Sequence, residues 1–148
     1  MTAPVTVVPM TAAHVAAVAA LEAQCFSRPW SAAALEEALR NPTAHFFVAL
    51  AGECVAGYIG LYAVLDEGAI ANVAVCPDRR RQGIASALLR RVTVWGAENG
   101  LHRLTLEVRA GNAAAIALYE RAGFVCDGVR PRFYDRPVED AALYSLYI

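Results

Sequence analysis

Three consecutive arginines begin the stretch whose chemistry is easiest to interpret, residues 79–85, which reads RRRQGIA. It follows a strand-like segment, residues 72–75, and precedes a helical pattern. The first turn of a helix leaves backbone N–H groups unpaired, and the helix dipole adds partial positive charge there. Gly83 would let the backbone approach a ligand closely, and Ala85 would leave room for it. These features predict a site for a phosphate group, and a ligand that carries a diphosphate is the first candidate.

Two common phosphate-binding motifs do not fit this stretch. The Walker loop ends in Gly-Lys-Ser/Thr, but the chain contains no lysine, since all 13 of its Lys+Arg positions are arginine. The dinucleotide fingerprint needs three spaced glycines near the start of a βαβ unit, whereas this stretch has a single glycine in the middle of the chain. What remains is Arg-x-x-Gly-x-Ala, formed by Arg80, Gly83 and Ala85. An ordinary basic turn before a helix would also have this composition.

Length and composition predict one compact domain covering residues 1–148. Hydrophobic residues make up 57% of the chain, yet no apolar run approaches the ~20 residues that span a bilayer. A formal net charge of −1 gives no global attraction to nucleic acid or to an anionic membrane. The first ten residues lack a signal-peptide pattern, and the four cysteines lack zinc or disulfide spacing. We therefore expect a soluble cytoplasmic protein with reduced thiols and no bound metal.

Hydrophobic periodicity and turn signals predict the elements that must position this stretch. Thr11 and Ser31 are candidate N-caps for the first two helices. The predicted strands are residues 5–8, 45–50, 54–64, 69–75, 101–108, 124–132 and 141–148, the predicted helices are 11–25, 31–40, 83–99 and 112–122, and residues 51–53 and 66–68 are predicted turns. The order β-αα-βββ-α-β-α-ββ predicts an α/β (α+β) fold in which residues 83–108 supply a parallel crossover.

A second motif lies downstream, where residues 107–124 contain Glu-Val-Arg-x-x-Asn-x-x-Ala-Ile-x-Leu-Tyr-x-x-x-Gly-Phe. Matching segments also occur at residues 29–30, 65–67, 72–75 and 139–141. Together with the arginine-rich stretch, they resemble the GNAT family of acetyl-CoA-dependent N-acetyltransferases, closest to its RimI-type branch, the ribosomal-protein-alanine N-acetyltransferases. The similarity extends over residues 11–148. It implies the GNAT fold, a mixed, mostly antiparallel sheet of about seven strands flanked by about four helices.

The resemblance implies that acetyl-CoA is the co-substrate, with its pyrophosphate at residues 79–85 and no metal. A bulge would separate the strand at residues 72–75 from its parallel neighbour, so that its main chain contacts the acetyl and pantetheine groups and the thioester oxygen. Asn112 would bind the pantetheine arm, and it is equally a candidate N-cap. The implied cofactor-binding residues are Val73, Ala74, Val75, Arg80, Arg81, Gln82, Gly83, Ile84, Ala85, Ser86 and Asn112.

Catalytic roles for Glu107 and Tyr119 follow from the same resemblance. An α-amine has a pKa of about 7.7 to 8 and is mostly protonated at neutral pH, so its attack on a thioester needs a base. Glu107 would be that base, directly or through a water; alternatively, it is a strand carboxylate paired with Arg103 or Arg109. Tyr119 lies two helical turns after Asn112 and therefore on the same helix face. It would be the general acid for the CoA thiolate, or else a tyrosine at the edge of the core.

The acceptor site is implied by residues on the helical hairpin, the turn of the strand meander and the last loop. These are Phe26, Trp30, Asp66, Glu67, Phe133 and Tyr134, which could equally be core aromatics and a solvated turn. Acidic residues there would suit an acceptor with a basic side chain near its amine. Gly111 and Phe133 depart from the branch pattern, and Phe133 removes a hydroxyl from the acceptor wall.

The predicted function is acetyl transfer from acetyl-CoA to the N-terminal α-amine of a protein, by direct nucleophilic attack. The resemblance points to an N-terminal alanine and to a small-subunit ribosomal protein as the acceptor. One alternative is a GNAT enzyme that acts on lysine side chains or small-molecule amines, and another is a non-catalytic acyl-CoA-binding regulatory module. Neither nucleic acid nor a membrane is expected as a direct partner.

Overall fold

A computed structural model describes residues 4–148. The first three residues of the predicted domain lie outside the described residues. They also belong to the N-terminal segment that was predicted to lack a signal peptide. The described residues confirm the predicted fold class. They form seven strands, β1 (Thr6–Pro9), β2 (Ala44–Ala51), β3 (Cys54–Val64), β4 (Glu67–Val75), β5 (Arg103–Arg109), β6 (Val125–Tyr134) and β7 (Glu139–Tyr147). Their four α-helices are α1 (Val15–Cys25), α2 (Ala32–Arg40), α3 (Ile84–Glu98) and α4 (Ala113–Arg121).

The strands form one sheet in the order β1-β2-β3-β4-β5-β7-β6. Neighbouring strands are antiparallel except for β4 and β5, which are parallel and are connected through α3. The parallel pairing is short, because only Glu67–Ala69 pairs with Arg103–Thr105. Beyond these three pairs the two strands diverge. The centre of the sheet therefore contains a gap.

Short-range caps begin several of the helices. Ser31 Oγ accepts a hydrogen bond from the Ala34 N–H at 3.1 Å and caps α2, as predicted. Thr11 precedes a 3₁₀ turn, Ala12–His14, so that α1 begins only at Val15 and not directly after Thr11.

No helix formed by residues 4–148 has both the length and the hydropathy that a bilayer crossing requires.

Two local predictions were wrong. The predicted turn at residues 66–68 lies earlier, at Leu65 and Asp66, and Leu65 adopts a left-handed φ of 57°. Residues 67 and 68 belong to β4 because they pair with both β3 and β5, and these two ladders outweigh the turn preference of Gly68. Phe133 and Tyr134 lie on β6 and not in a loop, since Tyr134 pairs with Glu139 of β7.

Each face of the sheet carries its own hydrophobic core. The core under α3 and α4 includes Leu88, Val92 and the alternate β5 residues Leu104, Leu106 and Val108. The core under α1 and α2 draws its buried residues from those helices, from β2 to β4 and from Met10 just after β1, with no contribution from β5, β6 or β7 within residues 4–148. On that second face, the part of the sheet formed by β5, β7 and β6 is consequently open.

Candidate active site

The gap between β4 and β5 begins at a β-bulge. Gly60 of β3 pairs with Asn72 and the next residue, Leu61, pairs with Ile70, which leaves Ala71 as the extra residue. A bulge bends its strand and increases the local twist, which explains why β4 leaves β5 at this point. The gap opens into a cleft of about 1190 Å³. Residues from both faces of the sheet line this cleft, so it passes through the sheet.

The main chain of β4 presents free groups to the cleft. The Cys76 N–H donates to Ala56 O of β3 at 2.8 Å, and because strand residues alternate, Ala74 and Asn72 also direct their main-chain groups toward β3. Val73 and Val75 therefore direct theirs toward the gap. This arrangement is compatible with their predicted contacts to acetyl-CoA. Ala74 differs from the prediction, because its main chain is directed toward β3 and its side chain is buried in the core under α1 and α2.

The arginine-rich stretch forms a loop that ends at the N-terminus of α3. Its first helical hydrogen bond joins Ala87 N–H to Gly83 O, so the N–H groups of residues 84–86 have no partner within the helix. Arg81 and Gly83 adopt left-handed φ values of 64° and 77°. A Cβ added at Gly83 would meet no protein atom within 4 Å, so the space beside its backbone is open. These features fit a diphosphate group.

Two contacts place this loop at the edge of the cleft. Cys25, which lines the cleft, has its Sγ 3.6 Å from Arg80 Nη2 and 3.8 Å from Val75 O. The loop and the free main chain of β4 are thus neighbours, as a ligand with a diphosphate and an extended arm would require. Of the remaining residues predicted here, Gln82 and Ser86 are exposed and Ala85 is half-buried, whereas the side chain of Ile84 is buried in the core under α3 and α4.

Glu107 lies on β5, just past the point where the strands part, and its side chain is on the face opposite Leu106 and Val108. Its side chain is 41% exposed, and its Oε1 lies 3.9 Å from Arg130 Nη1. An exposed ion pair of this length contributes only about 0 to 1 kcal/mol, so the carboxylate remains accessible. The alternative partners Arg103 and Arg109 are not bound to Glu107.

Arg109 instead holds the turn between β6 and β7. Its guanidinium donates to Asp135 O and to Pro137 O, both at 2.9 Å, and lies 4.5 Å from the centre of the Tyr134 ring. Burial raises the pKa of Tyr134, and the negative charge of Glu107 raises it further, while Arg109 opposes the rise. Tyr134 therefore lies beside Glu107 in a wall of the cleft that Arg109 keeps in place.

Tyr119 and Asn112 reach the cleft from α4. Asn112 Oδ1 accepts the Ala115 N–H at 3.2 Å and caps the helix, as the alternative prediction had it, while its side-chain nitrogen is left for other partners. Tyr119 is 8% exposed and packs against Phe124. Burial raises its pKa to about 12, and the neighbouring Tyr134 adds to the shift. Tyr119 therefore holds its proton throughout the neutral range.

The residues predicted for the acceptor site divide into two groups. Phe26, Phe133 and Tyr134 line the cleft. The other three do not line it, and their part in the acceptor site stays a prediction.

Trp30 is half-buried and packs against Phe46 at 5.7 Å between ring centres, at the edge of the core under α1 and α2. Asp66 lies in the turn before β4, and Glu67 is the first residue of β4, before the strands part. The Glu67 carboxylate is bound by Arg103 at 2.8 Å.

A second groove, of about 500 Å³, joins the cleft on the open face of the sheet. It extends from Arg103 and Asp127 to Glu107, Phe133 and Tyr134. Glu107 lines both the groove and the cleft, and Tyr119 lines only the cleft. A ligand in the groove and one that enters the cleft beside α4 would therefore meet at Glu107.

The sequence-based reasoning missed a buried carboxylate behind the cleft. Glu22 of α1 is 0% exposed and accepts hydrogen bonds from Trp30 N–H at 2.8 Å, Tyr58 O–H at 2.6 Å and Asn72 Nδ2 at 2.6 Å. Burial raises the pKa of Glu22, and these three hydrogen bonds oppose the rise. A signal was present, because Glu22 follows the apolar residue Val18 by four positions on the buried stripe of α1. Its partners are too distant in the chain to be predicted.

Comparisons with known proteins agree with this geometry. The model of the Acetyltransferase (GNAT) family matches residues 15–124. The N-alpha-acetyltransferase RimI of Mycobacterium tuberculosis is 36% identical over 139 residues, which cover 90% of this chain and 86% of the relative. The [ribosomal protein bS18]-alanine N-acetyltransferase of Escherichia coli is 46% identical over 87 residues, 57% of this chain and 59% of the relative.

A solved structure gives the same result at the level of the fold. The crystal structure of the ribosomal-protein-S18-alanine N-acetyltransferase from Escherichia coli superposes with a TM-score of 0.91 at 33% identity, covering 98% of this chain and 94% of that one. The predicted similarity to RimI-type enzymes is therefore confirmed. The chain belongs to the GNAT family of acetyltransferases.

Proposed function

We propose that the protein transfers the acetyl group of acetyl-CoA, the co-substrate of this family, to the α-amine of the N-terminal alanine of ribosomal protein bS18. The observation that carries the proposal is that Glu107 and Tyr119 line one cleft, on opposite faces of the gap between β4 and β5. A base and an acid in these positions can act on the two sides of one acyl transfer, the base on the attacking amine and the acid on the departing thiolate. The similarity to the ribosomal bS18-alanine N-acetyltransferase of Escherichia coli supports the choice of acceptor.

The donor would bind on the side of α3 and α4. The loop at residues 79–85 and the first turn of α3 would hold the diphosphate, because their N–H groups are unpaired and arginines surround them. Asn112 would donate its free side-chain N–H to the pantetheine arm. Val73 and Val75 would offer main-chain groups to the amides of that arm and to the thioester oxygen, where negative charge develops during attack.

The acceptor amine would approach from the open face of the sheet, where Glu107 is accessible. Glu107 would take a proton from the amine, directly or through a water, and free its lone pair for attack on the thioester carbon. A C–N bond then forms as the C–S bond breaks, and the Tyr119 O–H gives its proton to the departing sulfur. Glu107 passes this first proton to solvent and takes the second proton that the nitrogen loses once the C–N bond has formed. That second proton replaces the one lost by Tyr119 through solvent, so the products are the N-acetylated peptide, CoA and one released proton.

Steady-state kinetics with a peptide that carries the N-terminus of bS18 tests these roles. We expect Glu107→Gln and Tyr119→Phe each to lower kcat by about 100-fold or more, the usual contribution of a positioned acid or base. The Kd for acetyl-CoA should stay within about twofold, since neither change removes the diphosphate contacts. Matched controls are Glu53→Gln and Tyr147→Phe, at exposed positions that do not line the cleft.

The outcomes separate the proposal from its alternatives. Unchanged turnover in Glu107→Gln and Tyr119→Phe would remove the assigned catalytic roles. Acetylation of lysine side chains or small amines, with none at the α-amine, would favour a different GNAT acceptor. Tight CoA binding without transfer to any amine would favour a non-catalytic module.

A further inference from the structure

Asn72 and Glu107 are two polar side chains at the point where the sheet opens. The last pair of the parallel ladder is Ala69 with Thr105; Asn72 follows the bulge on β4, and Glu107 lies two residues further along β5. Asn72 contacts Glu22, and its side chain is therefore on the face covered by α1 and α2. Glu107 is on the same face, because its neighbours on β5 belong to the opposite core. Both residues line the cleft.

Glu22 determines which end of the Asn72 amide faces this cleft. The Asn72 nitrogen donates to Glu22 Oε2 at 2.6 Å. An ionised carboxylate can only accept hydrogen bonds, so the amide nitrogen must face Glu22 and the amide oxygen must point away.

The amide oxygen has no partner within the part of the chain that is described. No group of residues 4–148 donates a hydrogen bond to Asn72 Oδ1. Among residues 4–148, Arg103 Nε is the only side-chain N or O atom that is both shielded from solvent and without a hydrogen-bond partner. Asn72 Oδ1 also lacks a partner, so it cannot be shielded from solvent. It is therefore open to the cleft. Asn72 Oδ1 is therefore an oriented hydrogen-bond acceptor without a partner in the described residues, at the gap that Glu107 also lines.

The charge of Glu22 adds to this acceptor. Within residues 4–148 no arginine, histidine or amine forms an ion pair with Glu22, although its side chain is fully buried. A carboxylate in this position polarises the Asn72 amide and makes its oxygen a stronger hydrogen-bond acceptor. A site with an acceptor atom and a negative charge behind it favours an N–H donor that is positively charged.

We propose that Asn72 Oδ1 binds the acceptor amine opposite Glu107, and that Glu22 is a positioning residue that holds the Asn72 amide in this orientation. This inference rests on the proposed function and names further residues of the acceptor site. Two N–H bonds of the incoming ammonium would be directed at once, one to Asn72 and one to Glu107 or its water. The proton removed by Glu107 then leaves a lone pair directed at the gap.

Two substitutions test the proposal. Asn72→Ala removes the acceptor atom, and we expect kcat/KM for the bS18 peptide to fall about 10-fold or more, as for a lost hydrogen bond to a charged group. Glu22→Gln places a donor beside Asn72, so that the amide can reverse and present N–H to the cleft. We expect a similar loss of kcat/KM for the peptide. In both variants the Kd for acetyl-CoA should stay within about twofold.

A destabilised control separates positioning from a general effect on folding. Val48→Ala removes buried volume from the same core without touching Asn72, and it should lower Tm while kcat/KM for the peptide stays within about twofold. An unchanged kcat/KM in Asn72→Ala would overturn the role of Asn72. A loss in Glu22→Gln no larger than that in Val48→Ala at matched Tm would overturn the role of Glu22.

Failure of the proposed function gives a different result. If the parent protein acetylates another amine and not the bS18 peptide, the acceptor is wrong, and the same comparison made with that amine decides the role of Asn72. If the parent acetylates no amine at all, both proposals are contradicted together.

Discussion

Glu107 and Tyr119 have contrasting surroundings that suit different tasks. The Glu107 side chain is 41% exposed and has one distant arginine partner, so it can exchange protons with solvent. Tyr119 is 8% exposed, and burial raises its pKa to about 12. A residue that keeps its proton at neutral pH can donate it but cannot act as a base. These surroundings support the proposed roles, with Tyr119 as the proton donor and Glu107 as the group that takes up a proton.

The pH dependence of the reaction tests this division. Because the pKa of Tyr119 lies above its ordinary value of 10.0, Tyr119 is protonated at every pH below about 10. We expect Tyr119→Phe to lower kcat by about 100-fold at each pH between about 6 and 9, without moving the midpoints of the profile. Initial rates across this range provide the measurement. Loss of an alkaline limb below pH 10 in Tyr119→Phe would contradict it.

At the scale of elements, the loop before α3 depends on one glycine. Gly83 has a φ of 77° and open space around its Cα, and Gly52 in the turn between β2 and β3 has a φ of 64° and is equally open. An alanine at either position would be strained by about 1 kcal/mol. Gly83 precedes α3 in the loop at the edge of the cleft, whereas Gly52 lies in a hairpin turn that does not line the cleft, so the two form a matched pair.

We therefore expect Gly83→Ala and Gly52→Ala to lower the free energy of unfolding by similar amounts. Only Gly83→Ala should weaken acetyl-CoA binding, by about 10-fold, because strain in this loop misaligns the N–H groups that would hold the diphosphate. Isothermal titration with CoA and denaturant unfolding measure the two quantities. Equal CoA affinity in both variants would remove the loop from the donor site.

How much the sequence could predict varies from element to element. Ser31 and Asn112 were identifiable as caps because a cap acts within three residues, and alternation along β5 separated Glu107 from the core. The contact between Glu22 and Asn72 joins residues 50 positions apart, so no local pattern contains it. The position of Trp30 was also not predictable, because an aromatic residue that lines a cleft and one that packs against a core have the same local sequence pattern.

The whole molecule is one sheet with a core on each face, and both cores include residues of β2 and β3. We propose on this basis that residues 1–148 form a single cooperative domain. Leu35 and Leu88 lie on opposite faces and are each 0% exposed. We expect Leu35→Ala and Leu88→Ala each to destabilise the same transition by about 2 to 5 kcal/mol, seen by denaturant unfolding. Two separate transitions in either variant would contradict a single unit.

The position of the acetyl group on a peptide tests the central claim most directly. Purified protein, acetyl-CoA and a peptide with the N-terminus of bS18 and one added lysine are incubated, and the product is fragmented in a mass spectrometer. We expect a single acetyl group on the N-terminal α-amine, formed at a rate that Glu107→Gln lowers by about 100-fold or more. Acetyl transfer to the lysine side chain alone, or no transfer at all, would contradict the account.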